Sequence, residues 1–291
     1  MTTESVFPNS GPSRNQCPLT LFVKVNRRLA IKRCSDGTSR PRFGPRLATI
    51  HYRLCTWAVR SGCRLLHLQT PERYTDADPF KLIRVDPARI KIMSTGPDRE
   101  YGSVVDGKWD QKKEPIEDDR CFRSLRQHFD DGVPWDETPL FEWFQERIES
   151  GDPTAWTYEQ YRSRFERIDD VYKQINQDGY RSQQDLFDED GLKSLRQNND
   201  SIHPYLNEVG VDIGRDGTLL WRSGGRHRLF IAKLLDIPKI PVKVWSRHRN
   251  WQAIRNRVRD QGSLEGEEWG ESSLVEHHPD LADIERMTDK T

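Results

Sequence analysis

The chain has 291 residues, 34% of them hydrophobic and 32% charged, and no apolar run approaches the ~20 residues of a membrane span. Nine Trp and eleven Phe argue against wholesale disorder, because disordered chains are poor in aromatics. The net charge of zero hides two opposed ends: residues 1–73 carry thirteen Lys/Arg against three Asp/Glu, and residues 260–291 carry two against ten.

Pro, Gly, Ser and Arg dominate the first forty-five residues, which read as irregular apart from a short strand at Leu21–Val25. From Arg46 to Leu66 the spacing is helical. Leu47, Ile50, Leu54, Trp57 and Ala58 share one face, and Arg46, Arg53 and Arg60 recur every seven residues. The expected packing puts that apolar face on the protein and the arginines in water; the alternative lays the helix on an anionic surface. Pro71–Pro79 is a polar connector. Lys81–Val85 alternates as a strand, Ile90–Ile92 is extended, and Tyr101–Gly107 reads as a glycine-rich bend. Helices are expected at 117–129, stopped by Gly132; from Pro139, with Leu140, Phe141, Phe144 and Ile148; from the capping box Thr157/Gln160 to Asp178-Gly179; and, more weakly, at 191–196. The pattern then turns to period two. Val209, Val211 and Ile213 alternate, Asp216-Gly217 turns the chain, and Leu219–Trp221 returns. A helix at 227–235 and a strand at Ile240–Val244 follow.

The five cysteines (Cys17, Cys34, Cys55, Cys63, Cys121) are odd in number and lack C-x-x-C spacing, which suits neither a disulfide framework nor a zinc site. With no signal-peptide pattern at the start, a cytoplasmic protein is expected.

The most informative stretch is Ser223-Gly224-Gly225-Arg226-His227-Arg228 between a strand and a helix. Two glycines permit positive φ and clear side chains from a ligand's path. The opening helix offers unpartnered N–H groups to an anion, and Arg donors can hold phosphate oxygens. A plain strand-to-helix corner with solvated basic residues fits the same spacing. Together with Gly210–Gly217, Gly225–Leu229, Ala232-Lys233-Leu234-Leu235 and Ile240-Pro241-Val242, the stretch resembles the second conserved block of the ParB/sulfiredoxin superfamily. Leu82–Pro87 is similar to that family's opening strand.

The resemblance implies a small mixed α/β (α+β type) sheet flanked by helices at 76–255, with a helical insertion at about 138–205. A basic segment at 1–75 and an acidic tail at 256–291 lie outside it. It also implies a pocket for nucleotide phosphates, with ATP, ADP or CTP as ligand. Within that pocket Ser223, Gly224, Gly225, Arg226, His227 and Arg228 bind phosphate, and the Gly107–Lys113 box adds Lys112, Lys113 and a stacking Trp109. Asp110 is then the candidate Mg²⁺ residue. For phosphoryl transfer or NTP hydrolysis Glu117, ahead of Glu208 and Asp212, is the candidate catalytic carboxylate, and His227, whose imidazole supplies an N–H neutral or charged, is the candidate donor to a leaving phosphate. The resemblance does not extend to sulfiredoxin chemistry, since Arg226 stands where that enzyme needs cysteine. The rival function is a DNA-associated ParB-like binding protein or nuclease, motivated by the basic amino-terminal region; in Lys243–Arg259 six basic residues interleave with Trp245 and Trp251, which suits nucleic acid and, equally well, a basic rim beside a nucleotide pocket. A non-catalytic interaction protein is a third reading. His277-His278 is read as exposed tail rather than a metal site. Each nucleotide reading requires guanidinium groups to converge on an anion at the glycine corner.

Overall fold

Val209, Val211 and Ile213 put their side chains on one face of strand β7 (Val209–Ile213), and all three are fully buried. Asp216-Gly217 reverses the chain into β8 (Leu219–Ser223), which pairs antiparallel with β7. These strands are the middle of the computed structural model, which describes residues 31–33, 39–41, 45–95, 99–112, 114–190, 203–261 and 277–284. The expected strand at Leu21–Val25 and helix at 191–196 lie outside the described residues.

Chain order begins with a two-stranded ribbon, β1 (Ile31–Arg33) and β2 (Ser39–Pro41), then helix α1 (Pro45–Gln69). β3 (Leu82–Val85), β4 (Ile92–Met93), β5 (Ser103–Val105) and β6 (Glu114–Pro115) follow. The helices α2 (Arg120–Phe129), α3 (Pro139–Glu149), α4 (Tyr158–Asp178) and α5 (Gln183–Asp190) precede the hairpin. After it come α6 (Arg226–Leu234), β9 (Ile240–His248) and α7 (Arg249–Gln261).

The result is an α/β fold on a mixed seven-stranded sheet of order β3-β9-β7-β8-β4-β6, with β5 alongside the far end of β9. β7 runs parallel to β9, and β4 parallel to β8. One face of the sheet (Ile83, Val85, Val209, Val211, Ile213, Val242, Val244) packs against Phe122, Leu125, Phe165, Ile168, Leu229 and Phe230 of the helices. The opposite face carries Asp212, Lys243 and Ser246, all buried.

Local signals set the helix ends. Asp119 accepts from the N–H groups of Cys121 and Phe122 at the start of α2, Thr138 caps α3, and Thr157 with Gln160 closes a reciprocal capping box on α4. Three expectations are corrected. The Tyr101–Gly107 bend contains β5, paired in parallel with β9 through Ser103↔Ser246. α5 forms at Gln183–Asp190, where no helix was expected. The apolar face of α1 named above is not the packed one. Val59, with Cys55, Cys63 and Leu66, meets Tyr101 and Tyr205, whereas Leu47, Ile50, Leu54 and Trp57 are exposed.

Residues 277–284 do not trail away either. Leu281 and Ile284 join the main core, and His278 is buried with its Nε2 3.1 Å from the Gly217 carbonyl. No helix among the described residues is long and apolar enough to cross a membrane.

Candidate functional site

At the end of β8 the chain enters the left-handed region twice, with φ of 70° at Gly224 and 56° at Gly225. A Cβ on Gly224 would lie 2.8 Å from the Glu208 carbonyl oxygen, and one on Gly225 2.7 Å from Val209 Cγ2. The glycines are therefore required by the turn's close approach to the start of β7. Gly225 is the cap residue of α6 and supplies no side-chain hydrogen bond. The first N–H groups of the helix have no carbonyl one turn back, so they keep the capacity to bind an acceptor.

The basic residues of the turn divide. The Arg226 side chain is 48% exposed, lies over the Trp221 ring at 5.1 Å, and is 4.0 Å from Asp119. Arg228, expected to bind phosphate, is turned inward. Its Nη1 lies 3.4 Å from Glu208 Oε2, its Nη2 donates to the Arg181 carbonyl, and its guanidinium stacks on Tyr180 at 4.4 Å. Glu208 is fully buried and also accepts from the Gln183 N–H at 2.5 Å. Burial raises its pKa in spite of Arg228 and Lys243. Arg228 is thus the counter-ion of a buried carboxylate and is not available to a ligand.

His227 lies beside Arg164. Arg164 Nη2 lies 3.5 Å from its Nε2, and since a guanidinium only donates, that nitrogen accepts. Burial, with Arg164 and Arg226 nearby, pushes His227 down to about 3. The lowered pKa favours the neutral ring, which with Nε2 accepting carries its N–H on Nδ1 and so keeps one donor.

The Gly107–Lys113 box is not beside the turn. The turn meets Glu208 and Val209, while the box meets the other end of β7, about 13 Å away along the strand. Asp110 cannot serve as the metal residue: its Oδ2 accepts from Arg215 N and Nε at 2.8 and 2.9 Å, and its Oδ1 from Arg215 Nη2 at 2.8 Å. Hydrogen bonds from Arg215 hold its pKa low against the effect of burial. Trp109 is taken by Arg99, 4.2 Å above its ring, and by His248 at 5.8 Å. Lys112 pairs with Glu114 at 2.6 Å in solvent, and Lys113 lies outside the described residues. Glu117 is exposed and acts electrostatically on Lys233, near the carboxy end of α6 and away from the turn. Among the described residues no group of three His, Cys, Asp or Glu side chains is placed to hold a metal.

Two further charged clusters join residues far apart in the chain, so sequence spacing does not reveal the pairings. Asp212 accepts from Ser246 Oγ (2.7 Å), Ser94 Oγ (2.5 Å) and Arg99 Nη2 (2.6 Å) on the polar face of the sheet. Asp280 accepts from both Nε and Nη2 of Arg247 and from Trp251 Nε1, and Arg255 binds Asp76 and Asp283. Burial alone would raise Asp280, but Arg247 and Arg255 hold it far below the usual carboxylate range. Within the basic–aromatic stretch Lys243, Arg247, Arg255 and Trp251 are buried and turned to the protein, while Arg249 and Arg259 are exposed and Arg257 and Trp245 half-buried. Cys121, two residues after Asp119, is pushed up to about 12 by burial and stays a thiol.

No family model, no curated protein and no solved structure matches the chain.

Proposed function

We propose that the protein binds the phosphate of a nucleotide at the amino end of α6, through the backbone of Ser223–Arg226 and the side chain of Arg226. The observation that carries this reading is the conjunction at one corner of an uncapped helix start, two glycines with positive φ, and a half-exposed arginine. The sequence resemblance to ParB/sulfiredoxin-like proteins supports the same corner. Turnover is not part of the proposal, because Arg228 is spent on Glu208, and Glu117 and Asp110 lie elsewhere.

Calorimetric titration with ATP, ADP, CTP and inorganic phosphate, each with and without Mg²⁺, tests the reading. Saturable binding should weaken about tenfold or more in Arg226→Ala, the loss expected for one charge-assisted hydrogen bond. Absence of binding to any of these ligands, or binding indifferent to Arg226→Ala, overturns it.

A further inference from the structure

Helix α1 has two apolar faces, and only one of them is used. Its inward side packs on Tyr101 and Tyr205 through Val59, Cys55, Cys63 and Leu66. Leu47, Ile50, Leu54, Trp57, Leu65 and Leu68 are each between 55% and 78% exposed. At 100° per residue these six fall within an arc of about 80°, on nearly the opposite side from Val59. They form a stripe, broken at Ser61, along a helix about 37 Å long. The helix contains no Asp or Glu, while Arg53, Arg60 and Arg64 run along one edge of the stripe. Arg60 is paired with Asp78; Arg53 and Arg64 are exposed.

We propose that this outward face docks on an anionic lipid surface, with α1 lying in the plane of the headgroups. Charge complementarity selects this occupant. The helix brings only positive side chains to its contact, and residues 1–44 add eight Lys/Arg against two acids in sequence. A second copy of the chain is disfavoured by the same charges. In a coiled-coil register the arginines at 46, 53 and 60 occupy the flanking positions that select partners, and no acid stands at the matching positions in either orientation. Ser61 and Arg64 would also interrupt the seam. A lipid interface has no such steric demand: Leu, Ile and Trp enter the acyl boundary, and long Arg side chains reach the headgroups from its edge.

The test is flotation of the full-length protein with vesicles of phosphatidylcholine alone and of phosphatidylcholine doped with phosphatidylglycerol. Binding is expected to the doped vesicles and to weaken in high salt. The double variant L54E/W57E changes two exposed positions, so its circular dichroism and unfolding midpoint should match wild type while its partitioning falls about tenfold or more. Replacing Arg53 and Arg64 by Gln should reduce partitioning about thirtyfold. Four results would overturn the proposal: equal binding to both vesicle types, undiminished binding by L54E/W57E, no flotation with a dimer that L54E/W57E dissociates, or no flotation with salt-sensitive binding to duplex DNA.

Discussion

Arg226 and Arg228 are two positions apart on α6, which turns the second about 200° from the first. One guanidinium therefore reaches solvent while the other meets Glu208, Tyr180 and the Arg181 carbonyl. Their alanine variants should separate cleanly. Arg226→Ala should leave the urea midpoint in place, whereas Arg228→Ala strands a buried carboxylate and should cost about 3 kcal/mol. An unchanged midpoint in Arg228→Ala would overturn the assignment of Arg228 as counter-ion of a buried, charged Glu208. His278 gives the protein a predictable acid response. Burial pushes it down to about 4 from 6.5, so below pH 6.5 the unfolded chain takes up a proton that the folded one refuses. Its part of the stability is present above pH 6.5 and falls by about 1.4 kcal/mol per pH unit toward pH 4. At pH 5 the loss should be about 2 kcal/mol, and His278→Gln should flatten that slope in urea titrations at pH 7 and 5. Glu208, with its pKa raised, works in the opposite sense and gains from acid.

At the scale of elements, the turn before α6 is held by packing as well as by φ. Gly225→Ala must place a Cβ 2.7 Å from Val209 Cγ2 at a φ of 56°, and should lower stability by about 2 kcal/mol or more in a urea titration. The elements that announced themselves in the sequence are those with local causes: the Thr157/Gln160 box, Pro139, the Asp216-Gly217 hairpin and the two glycines of the turn. β5 was hidden because its glycine-flanked residues become a strand only by pairing with Ser246–His248, more than a hundred residues later. α1 misled for a different reason. Periodicity selects the richer apolar face, which holds Leu, Ile and Trp, but packing chose the poorer one around Val59. The candidate site followed the same division. The glycine corner was readable, but the availability of Arg228 and Asp110 depended on Glu208 and Arg215, partners that spacing alone does not reveal.

For the whole molecule, the charge asymmetry of the chain acquires a structural meaning at its carboxy end. An acidic run beyond a basic stretch looks like a solvated tail, and losing it would then cost little. Instead Asp280 and Asp283 reach back to Arg247 and Arg255, Asp283 also meets Lys81 at 2.8 Å, and Leu281 and Ile284 complete the core beside Trp251. Arg255 ties in Asp76 as well, so one guanidinium joins α7, the segment before β3 and the chain's end. Burial of Arg247 and Arg255 is tolerated only because these carboxylates are present; without them each cation is desolvated and unpaired. Truncation after Glu276 should therefore destabilise the domain by more than about 3 kcal/mol, seen as a lowered unfolding midpoint or loss of soluble protein. The single variant Asp280→Asn keeps the chain length and the packing of Leu281 and Ile284 but removes the charge that faces both arginines. It should reproduce most of the deficit. A truncated protein as stable as the full chain would mean that Arg247 and Arg255 find water or other partners, and the segment would revert to a solvated tail.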